Sequence, residues 1–382
     1  TSALFEYEML SRIPELNIIH QDARLFVNQT DNTYDAVIVN LPEPETFQIN
    51  RFYTKDFFSL VRSRLEDNGV FCFHSGSVGN YVSDIRRRKI STLHETASAH
   101  FPEILMLPGQ RLYFLCADFP LNARIPELLA EKGIETRYVS GYYAGNITPQ
   151  RISGLESSLL SGVHSNTDFF PRLVGIMFSE WFEEFDTSPA FFLGLLGVAI
   201  AAYLARSTGE EFVLFTTGAM TMGGEVLVIF AFQIFFGYIY LQIGLIVTVF
   251  LAGLLPGAVI GERLSRMGRR LFVWTDTVLI VSMLVFMAAL YSAGSLLPGY
   301  MFLFFGAVVS FACGIQFPVA LHLGGSENPA AVRAFSADLI GAAAGTLAVS
   351  VVLMPHAGLL WTAAALVPMK TISLTFVSMR YG

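Results

Sequence analysis

Two hydrophobic patterns divide the chain. Up to about residue 188, apolar residues come as short runs and helix-spaced stripes set among polar ones. "LNIIHQDARLFV" (16–27) reads as a short strand from Asn17 to His20, with Asp22 at its end and a helix start behind it. "YDAVIVN" (34–40) reads as a second strand, because Ala36 to Val39 form a continuous apolar run. "TKDFFSLVRSRLEDNG" (54–69) spaces Phe57, Phe58, Leu60, Val61 and Leu65 along one helix face, and Asn68-Gly69 predicts its C-cap. "VFCFHSG" (70–76) is a third strand. Residues 80–102 are a second amphipathic helix, stopped by Pro102. Residues 103–107 and 111–117 form a strand pair. Residues 122–139 are a helix ending at Lys132-Gly133 and then a strand. Strands alternating with helices predict an open α/β sheet with an antiparallel pair at one edge. Ligands of such sheets bind outside the carboxyl ends of the strands. Those ends carry Asp22, Asn40 to Glu43, and His74-Ser75.

From residue 189 the pattern changes to long apolar stretches, about 189–206, 212–236, 239–261, 271–293, 297–321, 335–355 and 358–378. A hydrocarbon core of about 30 Å needs roughly 20 such residues, so these predict an all-α transmembrane bundle of about seven helices. The first stretch is the shortest and the last contains Lys370, so an interfacial placement stays open for both. Arginines fall in alternate loops: Arg206, then Arg263, Arg266, Arg269 and Arg270, then Arg333. The loops "GYIYLQ", "SAGSLLPG" and "PHAG" have none. This places the arginine-bearing loops and the C-terminus in the cytoplasm. If the first stretch spans, the soluble part then lies outside the cytoplasm, most simply of a bacterial inner membrane. The expected organisation is a soluble domain over 1–150, a linker and juxtamembrane segment over 151–188, and the bundle over 189–380.

Composition agrees with this division. The chain of 382 residues is 53% hydrophobic and 14% charged, against about 25% charged in soluble domains. A net charge of −7 argues against a nucleic-acid surface. The run Arg86-Arg87-Arg88-Lys89 reads as a solvated helix face. Three scattered cysteines, Cys72, Cys116 and Cys313, make no CxxC, so neither a disulfide framework nor a metal site is expected. The chain opens at Thr1 within helix-like sequence, so an N-terminally incomplete domain is expected, with any targeting segment upstream.

At "YDAVIVNLPEPETFQINRFYTKDFFSLVRSRLEDNGVFCFHSG" the sequence resembles the spermidine/spermine synthase (polyamine aminopropyltransferase) family, over about residues 4–145. The resemblance implies a methyltransferase-type Rossmann-like α/β domain and decarboxylated S-adenosylmethionine as co-substrate. It puts Asp22-Ala23 where the family contacts the adenine and Asn40 where it has its catalytic aspartate. Glu43 falls where a second acid holds the polyamine, and His74 where a glutamine is usual. The departure at Asn40 has a chemical meaning. An attacking amine is mostly a protonated ammonium at neutral pH, and a carboxamide cannot take its proton. Loss of a general base costs about 10²–10⁴-fold. Glu43 is the substitute base on offer. The plain alternatives are that Asn40 bonds a loop backbone and that Asp22 is a helix N-cap.

In the membrane half, Glu225 lies mid-span and Asp276 and Asp338 nearer span ends. Ionisable groups there face the bundle or a cavity. Glu225 reads as a proton or cation site, or as a helix-to-helix hydrogen bond to Gln233, Gln316 or His322. Gly341-xxx-Gly345 reads as a close-packing face. "GAVIGERLSRMGRR" (257–270) resembles the cytoplasmic signature loop of major-facilitator transporters. Along most of its length the chain resembles bacterial proteins that fuse a synthase-like domain to a transporter-like bundle, a group in which the "NLPEP" loop is typical. Three functions follow from these resemblances. One is an active membrane-anchored aminopropyltransferase. Another is a catalytically degenerate binding or scaffold module, with the bilayer and other membrane subunits as partners. The last is a polyamine or cation transporter with a sensor domain.

Overall fold

A computed structural model describes residues 13–77, 82–136, 139, 147–237, 240–324 and 328–380. The soluble part is built on a four-stranded mixed sheet of Rossmann-like form, in the order β1-β2-β4-β3. β1 (Tyr34–Val39) runs parallel to β2 (Leu65–Ser75). β4 (Leu112–Ala117) is antiparallel to both β2 and β3 (Glu103–Leu107). The expected antiparallel pair therefore exists, with β4 slotted inside the sheet.

Helix α1 (Ala23–Gln29) starts at Asp22, whose side chain accepts from the Leu25 amide. The short α2 (Phe47–Asn50) follows β1, and Thr54 and Ser83 cap α3 (Lys55–Arg62) and α4 (Asp84–Ser98). Phe57, Phe58 and Val61 of α3, with Ile90 and Leu93 of α4, bury one sheet face against Phe71, Phe73 and Phe114. Phe73 and Phe114 stack with ring centroids 4.7 Å apart. The opposite face is open, leaving Ile38 70% and Tyr113 40% exposed.

The structure corrects three of the expected elements. Residues 17–20 form no strand; β1 is the edge of the sheet, and no strand pairs on its free side among the described residues. The helix expected over 54–69 stops at Arg62, and β2 begins at Leu65, so Asn68-Gly69 is no C-cap. Pairing jumps from Tyr34↔Leu65 to Ala36↔Val70, and exposed Glu66, Asp67 and Asn68 bulge out between. Three polar residues in a row cannot alternate faces with a buried row, so the chain loops them into water. Helix α5 (Ile125–Glu131) ends as expected, with Gly133 at φ +65°. Residues 134–136 are not a strand, and Arg137 and Tyr138 lie outside the described residues.

After α6 (Pro149–Ser157) and α7 (Arg172–Glu184), the membrane half holds α8 (Pro189–Leu204), α9 (Gly209–Phe236), α10 (Tyr240–Leu264), α11 (Arg269–Ala293) and α12 (Gly299–Gly324). Then come α13 (Asn328–Leu347), which continues as a π-helical segment over Ala348–Leu353, and α14 (Met354–Arg380). Five helices are long and apolar enough to cross a membrane, and the last of these is a 50-residue stretch. That stretch breaks at Gly358, whose φ is +77°. Its two legs run in opposite directions beside α9. Phe215 meets Gly341 and Ala219 meets Gly345 on the outgoing leg, while Thr217 meets Lys370 and Phe212 meets Phe376 on the returning one. The seven apolar stretches of the sequence are thus five long helices, one of them folded back on itself, plus the short α8. With a rise of 1.5 Å per residue, α8 is about 24 Å long. The Tyr203 ring near its end meets Phe215 in the second turn of α9 at a tilt of 40°.

The soluble domain is fastened to one end of this bundle. Asn166 is fully buried and donates to Asn50 Oδ1 at 2.9 Å and to the Tyr53 carbonyl at 2.8 Å. Asp168 accepts from Thr54 at 2.8 Å and pairs with Arg24 through both carboxylate oxygens. The Phe169 carbonyl then accepts from the Leu359 amide at 2.9 Å, and its ring meets Phe235. Gly237 packs on Arg51 and Asp22, Gly175 on Pro355, and Gly294 on Phe169. These contacts lie at the ends of α9 and α11 and the start of α14. The arginine-bearing loops lie at the other ends of the same helices.

Candidate functional site

The loop after β1 is held by Tyr53, whose hydroxyl donates to the carbonyls of Leu41 at 3.2 Å and Pro42 at 3.1 Å. Pro42 and Pro44 have no N–H, so the loop offers carbonyls to the protein, while Leu41 and Pro44 pack inward. β2 delivers His74 beside it, and the turn into β4 brings Arg111 across. His74 Nε2 lies 3.1 Å from Asn40 Oδ1, and Arg111 Nη1 lies 3.1 Å from both.

No single tautomer satisfies all three edges of this triangle. The guanidinium has only donors, so it faces the Asn40 carbonyl oxygen. His74 either donates through Nε2–H to the same oxygen, which sets it donor to donor against Arg111, or accepts from Arg111 at Nε2 and carries its proton on Nδ1. Nδ1 is buried and has no partner among the described residues. Burial first, and Arg111 second, push the His74 pKa below its ordinary value, so the ring is neutral.

Glu43 points to a second cluster. Its carboxylate pairs with Lys89 of α4, which also lies 3.3 Å from Glu180 of α7. Gly76 makes room for Glu43, since a side-chain carbon there would collide with its carboxylate. Lys89 is only 4% exposed, so the basic run of α4 is not simply a solvated face. Arg86 also reaches Glu180, at 3.4 Å. The juxtamembrane helix thus clamps the acid that the sequence offers as a substitute base.

Asn40 and His74 therefore come together with Arg111, Glu43 turns from the same loop to Lys89, and Asp22 joins neither group. Asp22 N-caps α1 and forms a two-pronged ion pair with Arg51, at 3.0 and 3.1 Å. Ala23 is the first residue of that helix. Beside them lie Arg24, Asp168 and Asp56, whose free oxygen count is reduced by a 2.9 Å bond from the Asp168 amide. Burial first, and then neighbouring Asp168, raise the Asp56 pKa.

Within the bundle the expected partners are rearranged. Glu225 is buried and makes no hydrogen bond with a described residue. Gln316, offered as its partner, instead donates to Thr275 at 2.8 Å and Asp276 at 2.6 Å. Lys370 places its three protons on Asp276 at 2.9 Å, Thr217 at 2.9 Å and Gln316 at 3.0 Å. Ser373 completes Asp276 from 2.9 Å. Lys370, Asp276, Gln316 and Ser373 are all 0% exposed, and they join α9, α11, α12 and α14. Asp338 stands apart from this network, on α13 beside Gly218. Among the described residues no group of three or more His, Cys, Asp or Glu could hold a metal.

Arg111 and the Asn166–Asp168 staple were not singled out from the sequence, and Lys89 was read only as one member of a solvated basic run. The partner of each is distant in the chain, and no local spacing announces it.

Comparison with known proteins agrees with the synthase-like reading of the N-terminal part. Residues 8–108 match the model of the spermine/spermidine synthase domain. A polyamine aminopropyltransferase of Korarchaeum cryptofilum (strain OPF8) is 36% identical over 88 residues, 23% of this chain and 26% of that protein. One from Synechococcus sp. (strain JA-3-3Ab) is 30% identical over 115 residues, 29% of this chain and 37% of that protein. One from Leptospira interrogans serogroup Icterohaemorrhagiae serovar copenhageni (strain Fiocruz L1-130) is 26% identical over 152 residues, 36% of this chain and 30% of that protein. The chain thus spans well under half the length of these relatives.

Proposed function

From the premise that residues 8–108 form a spermine/spermidine synthase domain, we propose a membrane-embedded synthase-like protein whose domain does not transfer aminopropyl groups. It serves as a binding or scaffold module held on the bundle. The observation that carries this is Arg111 bonded to Asn40 at 3.1 Å, at the position the resemblance assigns to the general base. Transfer to an ammonium needs an anionic acceptor for its proton. Here that place has a carboxamide with a guanidinium upon it, which repels the substrate charge as well. The other candidate bases are engaged. Glu43 is bound to Lys89, and His74 turns Nε2 to Asn40 and Arg111 and keeps Nδ1 buried. Decarboxylated S-adenosylmethionine would also have to displace Arg51 from Asp22.

The placement of the domain supports the same reading. It docks on the bundle end away from the arginine loops, which the charge rule makes the extracytoplasmic side. A cytoplasmic nucleotide donor would not reach it there. The signature-like loop over 257–270 and the close-packed glycine faces suit a transporter-like bundle within an inner-membrane assembly. An active aminopropyltransferase is the second reading, favoured by Glu43 as the acid remaining on the loop. It requires Glu43 to leave Lys89 and Glu180. A transporter with a sensor domain draws on Glu225, which has no hydrogen-bond partner among the described residues.

The test is transfer from labelled decarboxylated S-adenosylmethionine to putrescine by the membrane-reconstituted protein. Wild type is expected to run at least about 10²-fold below Asn40→Asp/Arg111→Gln, the span that a general base supplies. Equal turnover by wild type would overturn the proposal.

A further inference from the structure

We infer that the cleft between α8 and α13, at the bundle end that carries the arginine loops, binds an anionic phospholipid, with its phosphodiester between Arg206 and Arg333 and its acyl chains along the two helices. A cavity of about 340 Å³ lies there. Tyr203, Arg206 and Ser207 line it from the end of α8 and the turn after it, Glu211 from the start of α9, and Arg333 and Ser336 from α13. The free groups of these residues are donors. Glu211, the one acid of the lining, is buried and engaged at both oxygens. Its Oε2 accepts from the Thr208 amide at 3.1 Å, and its Oε1 lies 3.2 Å from Arg333 Nε. That pairing leaves both terminal nitrogens of Arg333 without a partner among the described residues, on a side chain that is 64% exposed. Arg206 donates through Nη1 to the Ala202 carbonyl at 3.1 Å and keeps Nη2 and Nε free in the same sense.

Charge chooses the headgroup. The lining carries two guanidinium cations and one carboxylate, so a single negative charge balances it. A phosphodiester has that charge, and its oxygens suit the fork of a guanidinium. A zwitterionic headgroup would bring its own cation against the two arginines. The surface that leads away from the cavity chooses a lipid over a soluble anion. On α13, Leu339 and Ile340 lie one turn beyond Ser336 on the same face, and both are exposed. On α8, Ala202 lines the cavity, and Val198, Leu195 and Phe191 follow it at intervals of four, three and four residues, from 61% to 80% exposed. Both stripes run from the arginine end toward the interior of the membrane, the direction in which acyl chains lie. A side-chain carbon on Gly194 or Gly197 would meet nothing within 4 Å, whereas the facing glycines of α13 are filled by α9 backbone. Two apolar stripes below one anion-binding cleft fit a lipid with two chains, wedged between α8 and the bundle.

The test is native mass spectrometry of the full chain in detergent, titrated with dioctanoyl phosphatidylglycerol, dioctanoyl phosphatidylcholine and glycerophosphoglycerol, which is the same anionic headgroup without chains. Phosphatidylglycerol is expected to bind about tenfold or more tighter than phosphatidylcholine, the scale of two arginines acting on one lipid charge. Arg206→Gln with Arg333→Gln is expected to erase that preference. Arg263→Gln with Arg266→Gln removes two exposed arginines of the same bundle end that do not line the cavity, and is expected to leave the preference intact. Equal binding of the two lipids, or an unchanged preference without Arg206 and Arg333, would overturn the inference. So would an equal loss in the Arg263 and Arg266 variant, which would make the effect one of diffuse charge. Glycerophosphoglycerol binding as tightly as the lipid would make this a site for a soluble anion. Dimers that take up no phosphatidylglycerol would mean that a second copy, and not a lipid, covers α8.

Discussion

Lys370→Met is expected to destabilise the bundle by about 3–5 kcal/mol, the cost of stranding one charge of a buried pair. The size follows from how completely the network is satisfied. Lys370 uses all three protons, Asp276 accepts on both oxygens, and neither is exposed to solvent or lipid. Removing the ammonium leaves Asp276 with Gln316 and Ser373 as its donors and no counter-charge. The same reasoning predicts that Lys370→Met with Asp276→Leu recovers most of the loss, because apolar replacement of both partners of a buried pair is often close to neutral. Denaturant unfolding of the purified protein in mixed micelles checks both. A single variant as stable as wild type would mean that the pair is open to water. A double variant no better than the single one would mean that the hydroxyl and amide groups left behind carry the cost.

Gly341→Val and Gly345→Val together are expected to be comparably damaging, at about 1–3 kcal/mol each from overpacking. A side-chain carbon on Gly341 would sit 2.7 Å from the carbonyl carbon of Phe215, and one on Gly345 would sit 2.6 Å from the Cα of Ala219. Both obstacles are backbone, so no rotamer change relieves them, and α9 must move away from α13. Helix association in lipid depends on close packing of this kind, because no hydrophobic gain opposes separation. Gly224→Ala is the control, as nothing lies within 4 Å of a side chain there. Thermal unfolding in detergent should lower the midpoint for the glycine pair and leave the control within a degree or so of wild type. Equal midpoints would remove the close-packing account of α9 and α13.

Much of this fold is legible in the sequence, because period and punctuation carry it. The apolar run of β1, the helix stripes of α3 and α4 and the long apolar stretches are local signals, and the structure keeps them. Gly341 and Gly345 were readable as a packing face for the same reason. Local rules failed where the deciding partner was remote. Asn68-Gly69 looks like a helix cap, but pairing of β2 with Tyr34 and Ala36 turns it into a strand bulge. Lys370 casts doubt on the last apolar stretch until Asp276, 94 residues away, is seen beside it. At the candidate site, Asn40 and His74 share strand ends, and topology alone brings them together. Arg111 and Lys89, which set the charge of that site, follow no spacing relative to them. Asp22 was legible as an N-cap, and its tie to Arg51 was not.

The central claim is that the synthase-like domain is carried outside the cytoplasm, on the bundle end away from the arginine loops. Asp67 in the β2 bulge and Arg266 in the turn after α10 are both exposed, at opposite ends of the molecule. Native Cys116 and Cys313 are buried, so a Cys72→Ala background leaves little to react. In intact spheroplasts, a membrane-impermeant maleimide is predicted to label Asp67→Cys at once and Arg266→Cys only after lysis. Labelling of Arg266→Cys first, or of both together, would contradict it.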